Sequence, residues 1–254
     1  MQSSHRICLR LTVLLMLSAS VFAQQAATGS RFDAQIQQDV EKLLRGKSQY
    51  RGVTATTEDQ IVTVTGNVNL YIDKMNLERK IEKMKNVEAV RNHVQVQSNV
   101  PDNQLGQTLA DKLRYDRVGF GIAFNAITLS VENGVATLGG NVHDYPSRDS
   151  AIAIAETTPG VKDVIDNIEV APTSGFDDDL RLRLYRAIYG DPVLQKYAID
   201  PQKPIRIVVD NGHVALYGVV NNQGDKNIAG IRANQVSGVF SVDNQLIALD
   251  QIKK

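Results

Sequence analysis

Histidine is the side chain most used for proton transfer and metal binding near neutral pH. Beyond residue 10 the sequence holds three, His93, His143 and His213, and none has metal-ligand spacing to another His or to an acid cluster. His143 could form an acid–base pair with Asp144, but we expect adjacent side chains to diverge. We expect His213, after a hairpin glycine, to face solvent. The sequence has no phosphate-binding loop, complete dinucleotide-binding fingerprint or nucleophile elbow. It therefore predicts no catalytic residue, no metal site, no cofactor and no enzymatic activity.

An acidic run, Asp177-Asp178-Asp179, could hold a cation, because hard cations prefer carboxylate oxygens. The run lies directly before a predicted helix, where carboxylates cap free N–H groups and oppose the helix dipole. The spacing of an EF-hand loop is absent. We therefore interpret the run as a helix cap rather than as a cation site.

The helix that follows carries a second set of candidates. Its core stripe is Leu180, Leu184 and Ile188, at helical spacing. Around a second stripe lie the residues that we expect to contact a membrane or a partner: Arg181, Leu182, Arg183, Tyr185, Arg186 and Tyr189. Arg, Tyr and Leu on an outward helix face suit contact with the headgroups of anionic lipid. The alternative is that this face packs on a neighbouring repeat or on the insert 191–204.

These residues belong to a unit that the sequence repeats three times. A glycine ends an alternating strand in each copy, at Gly66, Gly140 and Gly218, with spacings of 74 and 78 residues. The same offsets align residues 87–92 with residues 161–166 and then with residues 239–244, so two separate segments keep one repeat spacing. A glycine at such a place indicates a bulge, a positive φ or the close approach of a helix. We interpret these three glycines as structural turn residues.

The periodicity changes in a fixed order within each copy. Apolar residues at helical spacing come first, two period-2 runs follow, a second helix comes next, and a Val-rich strand closes the copy. Asn-Gly pairs at 133–134 and 211–212 predict two-residue hairpins, and Asp59-Gln60 predicts a weaker turn. The second helix serves as a right-handed crossover. The predicted fold class is α+β: three tandem αββαβ sandwiches, each with two helices on one face of a three-stranded mixed sheet.

The glycine and valine pattern resembles the BON domain of bacterial envelope proteins. Residues 134–142 (GVATLGGNV) with 159–164 show the pattern best, and residues 211–212 with 238–244 match well. The first copy departs from it, with Asn86 in place of a Gly and Gln60 in place of the hairpin Gly. The resemblance implies the αββαβ fold, a periplasmic or outer-membrane-associated place, and binding to phospholipid surfaces or envelope proteins under stress. It implies no active site.

Residues 1–23 predict a secretory signal peptide, with a basic start, a short apolar run at 11–17 and cleavage after Ala23. The run is shorter than the roughly 20 residues that span a bilayer. Cys8 precedes it, so we do not expect a lipoprotein. The rest of the chain has no cysteine, which suits an oxidising compartment. We expect a periplasmic protein whose mature chain has no transmembrane segment.

The balance of charge excludes a strongly basic nucleic-acid protein, because 28 basic residues meet 28 acidic ones. Residues 101–172 hold 5 basic and 10 acidic residues, so the middle copy suits an anionic surface least. Our leading hypothesis is a non-enzymatic exported envelope protein that binds anionic phospholipid surfaces or envelope components, in osmotic or envelope stress. The alternative is a soluble periplasmic chaperone or adaptor that binds proteins. The expected domains are 32–98, 103–171 and 176–250.

Overall fold

The computed structural model describes residues 31–116, 123–199 and 204–252. The predicted signal peptide lies outside the described residues. The first copy contains α1 (31–45), a 3-10 turn (Ser48–Tyr50), β1 (Val53–Glu58), β2 (Ile61–Val68), α2 (Tyr71–Glu82) and β3 (Ala89–Val96). The second contains α3 (Asp102–Arg114), β4 (Ala126–Glu132), β5 (Val135–Val142), α4 (Tyr145–Glu156) and β6 (Asp163–Val170).

The third copy follows the same order with additions. Its elements are α5 (Gly175–Tyr189), α6 (Lys196–Ile199), β7 (Arg206–Asp210), β8 (His213–Tyr217), β9 (Val219–Val220), α7 (Gln223–Asn234), β10 (Ser241–Asn244), β11 (Ile247–Ala248) and α8 (Leu249–Ile252). The Val-rich strand that closes this copy is interrupted after Asn244, whose side-chain oxygen accepts from the Leu246 N–H at 3.3 Å. The insert after α5 supplies Leu194 and Tyr197 to the core.

The main sheet of each copy is three-stranded and mixed, with the second strand of the copy in the middle, and in the third copy β9 and β11 form a separate parallel pair. β1 and β2 pair antiparallel, and β2 and β3 pair parallel; β4, β5 and β6 repeat this arrangement, as do β7, β8 and β10. The hairpin and the helical crossover predicted from the sequence are therefore confirmed. By its contacts the chain divides into two compact units, one ending at Gln97 and one beginning at Ser98.

The copies differ in the size of the residues that the second helix buries. In the first copy, α2 buries Leu77 and Ile81, and the central strand buries Val64. In the second, α4 buries Ser147, Ala151 and Ala155, and the strand position equivalent to Val64 is a leucine, Leu138. The third copy follows the second, with Ala229 and Ala233 on α7 and Leu216 on β8. Close packing requires such compensation, because interiors leave little void.

An aspartate of the first helix holds the hairpin turn in every copy. Asp33 accepts the N–H groups of residues 59 and 60 at 3.0 and 2.8 Å, and Asp102 accepts those of residues 133 and 134 at 2.6 and 2.8 Å. Asp177 accepts those of residues 211 and 212, both at 3.0 Å. The acidic run is therefore not the helix cap we predicted, since Ser174 caps α5 by accepting the N–H of Asp177.

The turn that we expected to be weak has the same conformation as the other two. Asp59 and Gln60 have φ of 50° and 64°, as Asn133 and Asn211 do at the first turn position, with 54° and 49°. Such angles cost a non-glycine residue free energy. Because the carboxylate of Asp33 accepts both turn N–H groups, it offsets that cost where the sequence lacks Asn-Gly.

The anchor glycines lie at positive φ, 122° at Gly66, 89° at Gly140 and 126° at Gly218. A Cβ built on Gly140 would lie 2.0 Å from the carbonyl oxygen of Ala126 on the paired strand. Of the three alternatives that we left open, the positive φ is confirmed, and the crowding comes from the neighbouring strand rather than from a helix. Together the angle and the contact exclude any side chain at this position.

Candidate functional site

The structure places two of the predicted contact residues inside the protein. Arg181 is 3% exposed, and its guanidinium donates to the carbonyl oxygen of Val209 at 2.7 Å and to Asp178 at 2.6 Å. Tyr189 is 8% exposed and donates its hydroxyl to the carbonyl oxygen of Ile205 at 2.6 Å. The prediction that both face outward is wrong, because this side of α5 packs on β7 and the residues before it.

The other four predicted residues lie on the outer side of α5. Leu182, Tyr185 and Arg186 are exposed, and Arg183 is half-buried. Arg183 donates to the carbonyl oxygen of Ser237 at 2.6 Å and pairs with Asp179 at 3.1 Å. Tyr185 is placed at the boundary between the second and third copies, where its ring meets Phe124 edge-on at a centroid distance of 6.2 Å. The packing alternative therefore holds for Tyr185, and contact of the exposed residues with a membrane or a partner stays a prediction.

A polar cluster joins the second copy to the third beside Tyr185. The ring of His143 lies between two carboxylates, with Nδ1 at 3.3 Å from Asp144 and Nε2 at 3.2 Å from Asp178. Our expectation that His143 and Asp144 diverge is wrong, because Asp144 turns back to cap α4 by accepting the Ser147 N–H. Burial alone would raise the pKa of Asp144, but the hydrogen bonds from Ser147 and His143 outweigh it and lower this pKa. His213 is exposed as predicted and bonds Ser241 at 2.7 Å.

Two phenylalanines extend the outer side of α5 into an apolar patch. Phe240 is 72% exposed and Phe176 is 49% exposed. Gly238, two residues before Phe240, lies next to Phe176 and Arg183, since a Cβ built on it would be 3.2 Å from Phe176 and 3.5 Å from Arg183. We call Phe176, Leu182, Arg183, Arg186 and Phe240 the α5 surface. Exposed apolar residues that adjoin one another and are rimmed by arginine mark an interaction surface more often than isolated ones do.

Phe240 could have been found from the repeat alone. The offsets that align the copies place it at the position held by Glu88 and Lys162, which are exposed charged residues. An aromatic residue replaces a charge only in the third copy. Phe240 also covers the hairpin turn, because a Cβ on Gly212 would lie 2.6 Å from its ring.

Within the described ranges, no group of three or more His, Cys, Asp or Glu side chains is arranged to hold a metal ion. No described helix has the length and apolar character needed to cross a membrane. The predicted absence of a metal and of a cofactor stays a prediction.

A comparison with family models matches the BON domain three times, over residues 32–98, 101–172 and 177–249. The chain belongs to the BON domain family, and it holds three tandem copies of that domain. Membership indicates an envelope-associated function of the phospholipid-binding type, in a family whose members are generally not enzymes.

Two solved structures similar to this chain come from Chlamydia trachomatis. One is described as CdsD, a structural protein of the type III secretion system, and the other as the C-terminal domain of CdsD. Each is 16% identical, and the matches cover 84% of this chain and 91% or 96% of the other. The TM-scores are 0.25 and 0.26, too low to carry an argument. A search of curated proteins found no match.

Proposed function

We propose that this protein binds anionic phospholipid membranes of the bacterial envelope through the α5 surface. The observation that carries the proposal is the exposure of Phe176 and Phe240, with Arg183 next to Phe176 and Arg186 exposed on the same helix. Aromatic and leucine side chains enter the headgroup boundary, while arginine guanidiniums stay with the phosphates.

The electrostatic part of this binding is weak and sensitive to salt. A basic side chain near an anionic leaflet contributes about 1 kcal/mol. Arg183 already pairs with Asp179, so Arg186 is the better donor to a phosphate. The rings of Phe176 and Phe240 therefore have to supply much of the affinity for the membrane. Salt should weaken binding without abolishing it.

The test uses the full chain and vesicles of pure phosphatidylcholine or of phosphatidylcholine with phosphatidylglycerol, in a co-sedimentation assay. We expect stronger binding to the anionic vesicles than to pure phosphatidylcholine, with loss in the double variant F176S/F240S and reduction in R186E. Tyr145→Ser removes an equally exposed ring from the second copy, and Lys85→Glu reverses an exposed charge in the first copy. Both controls should bind as the unmodified chain does.

Unchanged vesicle binding by the F176S/F240S variant would refute the proposed surface. Failure of the unmodified chain to bind anionic vesicles would refute the phospholipid function and favour the protein-binding adaptor. In that case crosslinking in intact cells identifies the partner, and the same double variant tests whether the α5 surface contacts it.

We also propose that the chain is exported and cleaved after Ala23, on the basis of residues 1–23. N-terminal sequencing of exported protein should begin at Gln24, and a sequence that begins at Met1 would contradict the proposal. A role in osmotic or envelope stress is proposed from family membership alone.

A further inference from the structure

Two asparagine–glycine pairs form the hairpin turns of the second and third copies, Asn133-Gly134 between β4 and β5 and Asn211-Gly212 between β7 and β8. An asparagine followed by glycine is the sequence that deamidates most readily, because no side chain on the glycine hinders the attack of its nitrogen on the preceding side-chain amide. Both asparagines are exposed to water. Each turn is therefore a place where the chain has the groups needed to modify itself.

The reaction uses the backbone nitrogen of the glycine as the nucleophile. After this nitrogen loses its proton, it attacks the side-chain carbonyl carbon of the asparagine and closes a succinimide ring. The Cγ–Nδ2 bond breaks, and the nitrogen leaves as ammonia after taking up a proton. Water then opens the ring to give aspartate or isoaspartate, so water is consumed and no oxidant or reductant takes part. Any contact that keeps the proton on the glycine nitrogen slows the first step.

A carboxylate accepts this proton in both turns. Asp102 accepts the N–H of Gly134 at 2.8 Å, and Asp177 accepts the N–H of Gly212 at 3.0 Å. A negative charge in contact with the N–H opposes loss of the proton, because two negative charges would then lie side by side. Each carboxylate also accepts the N–H of the asparagine and so holds the turn closed. The aspartates that shape the two hairpins therefore also protect them from deamidation.

The two turns differ in what covers the glycine. The hydrogen bond from Gly212 is buried, and a Cβ on this glycine would lie 2.6 Å from the ring of Phe240. The hydrogen bond from Gly134 is only partly buried. A Cβ on Gly134 would lie 2.9 Å from Cδ of Lys162, so a long flexible side chain takes the place of the ring. Water therefore reaches the second turn more easily than the third.

We propose that Asn133 is a site of spontaneous deamidation in the folded protein and that Asp102 sets its rate. Asn211 is shielded by Asp177 and Phe240. The product brings a new negative charge next to Asp102, and isoaspartate also lengthens the main chain within the turn. Deamidation therefore weakens the hairpin of the second copy as the protein ages. This modification does not depend on the proposed membrane surface.

The experiment incubates the full chain at neutral and at mildly alkaline pH and follows both asparagines by peptide mapping with mass spectrometry. An isoaspartyl methyltransferase assay detects the isoaspartate. Synthetic peptides of residues 129–137 and 207–215 give the rates without the fold. We expect Asn133 to react about ten- to a hundredfold more slowly than its peptide, which is the effect of one hydrogen bond to a charged group. Asn211 should react more slowly still, and both rates should rise with pH.

Asp102→Ala should raise the rate at Asn133 by about ten- to a hundredfold and leave Asn211 unchanged in the same molecule. Asp102→Asn keeps one acceptor oxygen without the charge, so it should give a rate between the two and tests the proposal even if Asp102→Ala fails to fold. Asp111→Ala is the matched control, since it removes an exposed carboxylate of the same helix that pairs with Arg114 at 3.0 Å. It should leave the rate at Asn133 unchanged.

Phe240→Lys gives the third turn the kind of cover that Lys162 gives the second, and it should raise the rate at Asn211 alone. The proposal is overturned if Asn133 stays intact after its peptide has reacted, if it reacts as fast as the peptide, or if Asn211 reacts faster. Equal rates at Asn133 in D102N, D102A and the unmodified chain would also overturn it. So would an equal rise at both asparagines in D102A, since that indicates general unfolding.

Discussion

Replacement of Asp177 by alanine tests whether one carboxylate holds the hairpin of the third copy. Asp177 is 3% exposed and accepts the N–H groups of Asn211 and Gly212. The bond to Gly212 is fully buried, because the ring of Phe240 lies over the turn. Alanine would leave at least one N–H group in the interior without an acceptor.

The expected loss is large for a single substitution. Hydrogen bonds to a charged group are worth about 1.5–3 kcal/mol each. A carboxylate in the first turn of a helix adds about 0.3–1 kcal/mol through the helix dipole. We therefore expect Asp177→Ala to lower the free energy of unfolding by about 3–7 kcal/mol.

The other two copies supply matched controls, because Asp33 and Asp102 make the same pair of bonds at similar distances. In both, one bond is exposed and the other is only partly buried, so water replaces much of what alanine removes. We expect each of these alanine variants to cost about 1–2 kcal/mol.

The assay is urea denaturation of the full chain followed by far-ultraviolet circular dichroism. Three tandem domains need not unfold in one step, so amide hydrogen exchange at residues 211 and 212 assigns the loss to the third copy. In an F240S background the turn is uncovered, and Asp177→Ala should then cost less than it does alone. Equal costs for Asp33 and Asp177, or the same cost with and without Phe240, would refute the reasoning.

Three further predictions test other parts of the fold. Gly140→Val should destabilise the second copy by several kcal/mol in the same denaturation assay, because of its φ and the Ala126 carbonyl oxygen, whereas Gly175→Ala, with no atom within 4 Å of its Cβ, should be close to neutral. Burial, with help from Asp225, raises the pKa of Tyr197 from 10.0 to about 12. The stability that Tyr197 contributes is therefore complete below pH 10 and is lost as pH rises through 12. The Y197F variant should flatten this pH dependence of stability, and a full alkaline transition in Y197F would contradict the prediction. The hydrogen bond from Arg232 lowers the pKa of Asp191 below 3.8. The stability that Asp191 contributes is therefore present above pH 3.8 and fades as pH falls below it. The D191N variant should remove this acid dependence in thermal melts, and an unchanged acid profile would count against the prediction.

Local chemistry made most of the fold predictable. The positive φ angles at Asn133, Gly140 and Gly212 follow from residue types that tolerate them. Asn86 shows the same principle, since it replaces a glycine of the repeat and keeps a φ of 65°.

The features of the candidate site that could not be predicted from the sequence depend on which elements pack against each other. The spacing of residues along α5 indicates a second stripe. Only the position of β7 shows that Arg181 donates to the carbonyl oxygen of Val209. Asp177 is 34 residues from Asn211, so its role in the turn is invisible to an analysis of the helix end. Phe240 was missed because it was considered within its own segment rather than against Glu88 and Lys162.

The larger residues buried by α2 and the smaller ones buried by α4 and α7 bear on how three similar domains avoid exchanging parts during folding. Tandem repeats can misassemble when an element of one copy docks on the sheet of another. The helix of the first copy carries Leu77 and Ile81, and over Leu138 of the second sheet it would overfill a space shaped for alanines. The alanine helix α4 placed over Val64 would instead leave a void. The size of the residues on the second helix would thus disfavour its exchange between the first copy and the other two.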